Sequence, residues 1–238
     1  MDRYLVSIII PVLNEAAIVG RTLEQLQQYP ELEVIVVDGG SQDNTLAIAR
    51  QKGVKAIAVS EGGRAAQMNA GADIAHGDIL LFLHADTQLP PNFTKLVVET
   101  LTQPGVIAGA FELTIAGTDR SLRWIERLVK MRSHLLSLPY GDQAIFIFSS
   151  AFSQLGGFAD LPIMEDFEFI KRARKQGRIA IAPAAVITSG RRWQKLGIWQ
   201  TTLINQLIIA GYYLGVSPQT LSNFYRGRRK SNRSGGRS

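Results

Sequence analysis

Gly77-Asp78-Ile79-Leu80-Leu81-Phe82-Leu83-His84-Ala85-Asp86 is the stretch that decides the fold. Ile79 to Leu83 is an unbroken apolar run, too short for a typical helix. It predicts a strand buried on both faces, as in the middle of a parallel sheet. Polar residues begin at its carboxyl end with His84 and Asp86, and open α/β sheets bind ligands outside the carboxyl ends of their strands. In extended backbone His84 and Asp86 point the same way, and an imidazole beside a carboxylate is a donor set for a divalent cation. A lone H-x-D is equally the mark of a surface turn after a core strand, so the rest of the chain has to choose.

Upstream, the same pattern recurs. Ser7-Ile8-Ile9-Ile10-Pro11-Val12-Leu13 reads as a buried strand with Pro11 near its end, where a missing N–H is tolerated. Asn14 then serves as a helix N-cap, with Glu15 in the first turn. Glu33 to Val37 is a second strand, ending in Asp38-Gly39-Gly40-Ser41-Gln42-Asp43-Asn44-Thr45, where glycines permit a tight turn and Asp43 or Ser41 can cap the next helix. Lys55 to Val59 is a third strand. Gly62-Gly63-Arg64 opens a helix of small residues that includes Asn69, and an arginine at a helix N-terminus can hold a phosphate. The resulting β-α-β-α-β-α-β series predicts a mostly parallel, Rossmann-like central sheet with helices on both faces.

Downstream the regularity weakens. Asn92 to Thr102 and Leu122 to Leu138 read as helices, Val106 to Leu113 and Ala144 to Phe148 as strands. A further helix opens at Met164-Glu165-Asp166, and Ile179 to Ala182 is a short strand. Two adjacent acids at a helix start either complement the helix dipole or supply a general base. The strand ends collect Asn14, Glu15, Asp38, His84 and Asp86, with Arg64 among them, a set suited to a nucleotide. No G-x-G-x-x-G follows the first strand and no Walker motif is present, so neither a dinucleotide site nor a P-loop is expected.

The 238 residues carry no cysteine, which excludes disulfides and thiolate zinc sites. Arg226, Arg228, Arg229, Lys230, Arg233 and Arg237 account for the whole net charge of +6. The body is neutral, which argues against nucleic acid as a partner. A basic tail after an apolar segment is either an anionic-membrane contact or a solvated terminus. No signal peptide is expected at the amino end.

Taken in order, Ser7 to Glu15, Val37 to Thr45, His84-Ala85-Asp86 and Glu165-Asp166 resemble the family 2 glycosyltransferases, which have the GT-A fold and use nucleotide-sugar donors. Gly141-Asp142-Gln143 and Arg191-Arg192-Trp193 resemble a bacterial subgroup. The resemblance implies that Asp38 contacts the nucleoside, with Pro11, Asn14 and Glu15 lining that pocket and Arg64, Asn69 and Ala85 completing the donor site. It implies that Asp86 matches the last acid of a D-x-D motif binding Mn²⁺ or Mg²⁺ through the donor diphosphate, with His84 in place of the first acid. Asp166 matches the family's base, and Glu165 is the neighbouring alternative. Asp142, Gln143, Arg191, Arg192 and Trp193 would lie on the acceptor or diphosphate side. Arg191-Arg192-Trp193 looks like a shortened relative of Q-x-x-R-W whose missing glutamine argues for transfer of a single sugar, and one displacement by an acceptor that Asp166 deprotonates would invert configuration. Two rivals stand beside this reading: a nucleotidyltransferase, disfavoured because Asn14-Glu15-Ala16-Ala17 is not a glycine- and basic-rich loop, and a degenerate GT-A module that binds without catalysis.

The expected organisation is a GT-A domain over 1–193, a C-terminal apolar or amphipathic helical segment over 194–225 and a basic tail over 226–238. Ile198 to Val216 carries no charge and runs for about 19 residues, at the lower edge for a membrane span. Arg191, Arg192 and Lys195 precede it and Arg226 follows it, so a span would break the positive-inside tendency. The alternatives are a helix lying on the cytoplasmic leaflet, which makes the protein peripheral on the cell membrane with a lipid-linked acceptor, and a helix packed on the catalytic domain.

Overall fold

The structure, a computed structural model, describes residues 4–59, 63–136, 138–190 and 198–225. Arg191, Arg192, Trp193, Lys195 and the basic tail from 226 lie outside the described residues. The strands are β1 (Val6–Val12), β2 (Glu33–Asp38), β3 (Lys55–Ala58), β4 (Ile79–Phe82), β5 (Thr87–Gln88), β6 (Val106–Ala116), β7 (Phe146–Phe148) and β8 (Arg178–Ser189). The helices are α1 (Ala16–Leu26), α2 (Thr45–Gln51), α3 (Gly63–Asp73), α4 (Phe93–Leu101), α5 (Arg120–Leu136), α6 (Ser149–Gln154), α7 (Glu165–Ala173) and α8 (Ile198–Tyr213), with one 3₁₀ turn at Gly141–Gln143.

One sheet runs in the order β3-β2-β1-β4-β7-β6-β8-β5. Its first half is parallel, as the apolar runs predict: β1 pairs with β2 and β4, and β2 with β3. The second half is mixed. β7 runs antiparallel to both β4 and β6, β8 is parallel to β6, and β5 is antiparallel to β8. β7 is therefore a seam between two differently built halves.

Alternation along the strands feeds two cores. Ile8, Ile10, Val12, Ile79 and Leu81 face one side, where α1, α2, α4 and α5 pack through Val19, Leu23, Ala49, Phe93, Val97 and Ile125. Ile9, Ile35, Val37, Leu80 and Phe82 face the other, against α3, α6, α7 and α8. Both faces of β4 are buried. The small residues of α3 have a steric reason: a Cβ on Gly71 would sit 2.5 Å from Ile9 Cγ2 and 3.0 Å from Val37 Cγ2, so the helix lies flush on the sheet.

One local expectation changes. Asn14 does not cap α1. Its φ is +55°, Glu15 occupies the cap position without a side-chain cap bond, and Asn14 Oδ1 accepts from the backbone N–H of Gln42. The α1 N-terminus is instead served from the loop after β2, where Asp43 Oδ2 accepts from Ala16 N–H at 3.2 Å. Of the two alternatives for the C-terminal segment, the structure shows α8 packed on the protein: Ile204 and Ile208 are buried in the second core, and Tyr212 and Tyr213 set their rings edge-on against Phe167. Among the described residues no helix is long and apolar enough to cross a membrane.

Candidate functional site

The carboxyl ends of β1 and β4 open on a cleft that α3, α7 and the Gly141–Gln143 turn close. It is lined by the polar side chains of Arg64, His84 and Asp166, by Pro11 and Gly141, and by the apolar Met68, Phe82, Ile145 and Phe158. Asp38 ends the neighbouring strand β2. Its side chain is almost fully buried, and Oδ2 accepts from the N–H groups of Gly40 at 3.1 Å and Ser41 at 2.9 Å. Oδ1 is buried with no hydrogen-bond partner among the described residues. A buried carboxylate oxygen left unsatisfied is unfavourable, and a ligand N–H or hydroxyl would satisfy it.

Gln67, which the sequence reading passed over, braces this end. It is buried, and its Nε2 donates to Val12 O and Val37 O, both at 2.8 Å, tying the last residues of β1 and β2 together beside Asp38. Gly39 is required there, since a Cβ would lie 2.9 Å from Gln67 Nε2. A lone amide in a run of small apolar residues was the available signal.

In the cleft Arg64 is the hub. Its Nε donates to Glu165 Oε1 at 2.5 Å, its Nη1 lies 3.2 Å from His84 Nε2, and its Nη2 lies 3.9 Å from Asp166 Oδ2. Burial works against the guanidinium charge, but Glu165, Asp166 and Asp142 outweigh it and hold the Arg64 pKa above its ordinary value. Burial pushes the Glu165 carboxyl up, Arg64 opposes the rise and Asp166 adds to it. The two acids differ in access. Glu165 is buried against Arg64, whereas Asp166 lines the cleft, with Oδ2 accepting from Gly141 N–H at 2.7 Å and Oδ1 from Phe167 N–H at 2.8 Å. Met164, at φ +69°, turns the chain into α7, and Ala144, at φ +49°, turns it out of the Gly141–Gln143 loop. Left-handed non-glycine residues in the two segments that meet at the Asp166–Gly141 hydrogen bond are local strain of the kind that gathers at working sites.

His84-Ala85-Asp86 is not extended, as the strand alternation implied. Thr87 N–H bonds to His84 O at 3.1 Å, closing a turn, so the argument that places His84 and Asp86 on one side of a strand does not apply. His84 turns toward Arg64. Ala85 is buried and its carbonyl accepts from Thr22 Oγ1. Among the described residues no group of three or more His, Asp or Glu is arranged to hold a metal ion. Divalent cations at phosphate-binding sites commonly take one or two protein carboxylates plus substrate phosphates. Half-buried Asp86 fits that requirement, and His84 fits it less well because a cation already faces its Nε2.

The remaining expected residues divide. Asn69 uses its carboxamide on both backbone groups of Phe158, at 2.8 and 2.9 Å, and so reaches the cleft only through the Gly156–Phe158 turn. Gln143 is fully buried: its Oε1 accepts from Arg132, Ser133 and Tyr140 N–H, and its Nε2 donates to Phe111 O. It holds the turn that presents Gly141 to Asp166. Asn14 is exposed and Glu15 half-buried at the rim below Pro11. Arg191, Arg192 and Trp193 fall outside the described residues.

Comparison with known proteins bears on this arrangement. The model of Glycosyl transferase family 2 matches residues 7–154. An uncharacterized glycosyltransferase of Mycobacterium tuberculosis is 35% identical over 184 residues, covering 71% of this chain and 68% of that protein. An undecaprenyl-phosphate 4-deoxy-4-formamido-L-arabinose transferase of Aeromonas hydrophila is 33% identical over 120 residues, 45% of this chain and 37% of that enzyme. The chain spans less than half the length of several curated relatives it matches. The mannosyltransferase PcManGT of Pyrobaculum calidifontis, solved with GDP-Man and Mn²⁺, superposes with a TM-score of 0.61 at 23% identity over 78% of this chain and 56% of its own.

Proposed function

This chain belongs to Glycosyl transferase family 2 and has the GT-A fold, and from that premise we propose that it moves one sugar from a nucleotide-sugar donor to an acceptor hydroxyl or carboxyl, with inversion. The observation that carries the reading is Asp166, which lines the cleft beside Arg64, while at the end of β2 in the same sheet Asp38 keeps a buried carboxylate oxygen with no partner among the described residues.

In this reading Asp38 Oδ1 accepts from the base or ribose of a UDP- or GDP-sugar while Pro11 and Glu15 border the pocket. Arg64, pivoting from Glu165, meets the negative charge that grows on the departing diphosphate. Asp166 takes the acceptor's proton as the acceptor oxygen bonds to the anomeric carbon and the bond from that carbon to the phosphate oxygen breaks. One displacement from the opposite face inverts the centre and releases the nucleoside diphosphate. Asp86, with His84 as a weaker second donor, would hold Mn²⁺ or Mg²⁺, which when bound supplies further neutralisation of the diphosphate.

A lipid-linked acceptor fits best, supported by the undecaprenyl-phosphate substrate in the name of the Aeromonas relative and by the basic carboxyl-terminal region of this chain. The protein then works peripherally at the cytoplasmic face of the membrane. The deciding experiment is a thermal-shift panel of UDP- and GDP-sugars with Mn²⁺, followed by product analysis. One donor should stabilise the protein, and Asp86→Ala should remove the metal-dependent part of that shift. A panel with no stabilising donor would overturn the reading.

A further inference from the structure

Two helices expose apolar stripes to solvent. On α5, Trp124, Leu128 and Met131 follow i, i+4, i+7 spacing, and Trp124 is 62% exposed. On α8, Leu203 and Leu207 lie one turn apart and are 56% and 44% exposed, and Leu214 in the turn just after the helix is 83% exposed. The opposite faces of both helices are in the core, through Leu122 and Ile125 on α5 and Ile204 and Ile208 on α8. α5 and α8 also pack against each other. These stripes are not the edge of a poorly folded segment but the outward sides of two anchored helices.

Charge selects the occupant. α5 carries Arg120, Arg123, Arg127, Lys130 and Arg132 against one acid of its own, Glu126, which is turned inward to Ile115 N–H and Arg123; from β6 Glu112 pairs with Lys130 at 3.0 Å, and Arg132 points inward to Leu138 O and Gln143. Arg127 lies 5.5 Å over the Trp124 ring, so a cation and an indole sit together at the border of the stripe. Beyond Glu168 the chain contains no Asp or Glu at all, while it continues through α8 into the basic tail. Two copies meeting through this region would set cation against cation. An anionic lipid surface complements both the apolar stripes and their border.

The same helices hold the residues around Asp166. The Arg132 guanidinium stacks on the Tyr140 ring at 3.5 Å and donates to Leu138 O and Gln143 Oε1, which fixes the turn whose Gly141 N–H binds Asp166. Tyr212 and Tyr213 pack on Phe167, the residue after Asp166. We propose that the outward faces of α5 and α8 form one docking surface for an anionic bilayer, and that docking seats the Asp166 side of the cleft toward the lipid. Only the second clause rests on the glycosyltransferase reading.

The test is flotation of the full chain with phosphatidylcholine vesicles, with and without phosphatidylglycerol. Wild type should float with the anionic vesicles, and Leu128→Glu/Met131→Glu and Leu203→Glu/Leu207→Glu should each reduce the bound fraction about tenfold. Circular dichroism and donor hydrolysis, measured without lipid, should stay unchanged in both variants. Wild-type flotation by both variants overturns the proposal, as does flotation lost only when the chain is cut at Arg226. So does a wild-type dimer by light scattering that the variants reduce to monomer without any vesicle binding. Absence of donor hydrolysis in wild type counts against the glycosyltransferase reading alone, because flotation is measured without donor.

Discussion

Arg64 and Glu165, 101 positions apart, meet in an ion pair at 2.5 Å, and Asp166 stands beside that pair with its carboxylate in the cleft. The adjacency separates two environments that the sequence leaves joined: Glu165 is buried against the arginine, and Asp166 lines the cleft.

Asp166→Asn is nearly isosteric and still offers an oxygen to Gly141 N–H. It should keep the melting temperature and nucleotide affinity and lose transfer by about 100-fold or more. Glu165→Gln should instead lower stability by about 1–3 kcal/mol, toward the lower end because Arg64 is 40% exposed and water screens the pair. Urea melts and single-turnover transfer on both variants check the assignment. A dead Glu165→Gln beside an active Asp166→Asn would reverse it.

Asp38→Asn preserves Oδ2 as the acceptor for Gly40 and Ser41 but replaces Oδ1 with a donor. Calorimetric titration with UDP and GDP should show about a tenfold loss of affinity for the cognate nucleotide with little change in thermal stability. Equal affinity would remove Asp38 from the nucleoside pocket.

Gly141→Ala places a methyl group 3.0 Å from Asp166 Oδ2 and 3.4 Å from His84 Nε2. The Gly141 backbone is not left-handed, so the strain is local to the cleft. Transfer should fall by about tenfold or more while UDP or GDP binding holds, a split that steady-state kinetics resolves.

Glu33 offers a test of pH dependence far from the cleft. Burial resists its ionisation, but Ser7 Oγ, His76 N–H and the His76 ring outweigh burial and hold its carboxyl below the ordinary 4.5. A depressed folded value contributes stability above the unfolded value and loses it as pH falls through the folded one. The stability difference between wild type and Glu33→Gln should therefore be about 1 kcal/mol near neutrality and shrink as pH drops below 4.5. Denaturant melts across that range measure it, and a difference that grows on acidification would contradict the sign.

The parallel half of the sheet was legible because each of its strands is a run of apolar residues with a polar break at the carboxyl end. The other half was not. β8 runs for twelve residues through Pro183, where Ile179 to Ala182 alone reads as a strand, because its pairing with β6 bridges a bulge that no local pattern records. β5 has two residues and exists only through its partner. In the site, Asp38 and Asp166 stood out as acids at strand and helix ends. The Gln67 clamp and the Arg64–Glu165 pair did not, since each depends on atoms brought together from distant parts of the chain. His84-Ala85-Asp86 follows β4 as its polar break implied, but the turn that shapes it was hidden by the strand before it.

The seam at β7 also orders events in time. The strands and helices that form the Asp38 pocket follow one another between residues 6 and 82, and chains fold from the amino end as they are synthesised. His84 can already face Arg64 at that stage, but the carboxylates that pair with Arg64 come only when the ribosome has made residues 165 and 166. A nascent chain of half length therefore has the parallel half of the sheet with Asp38 at its carboxyl edge and lacks the acids on the other side of the cleft.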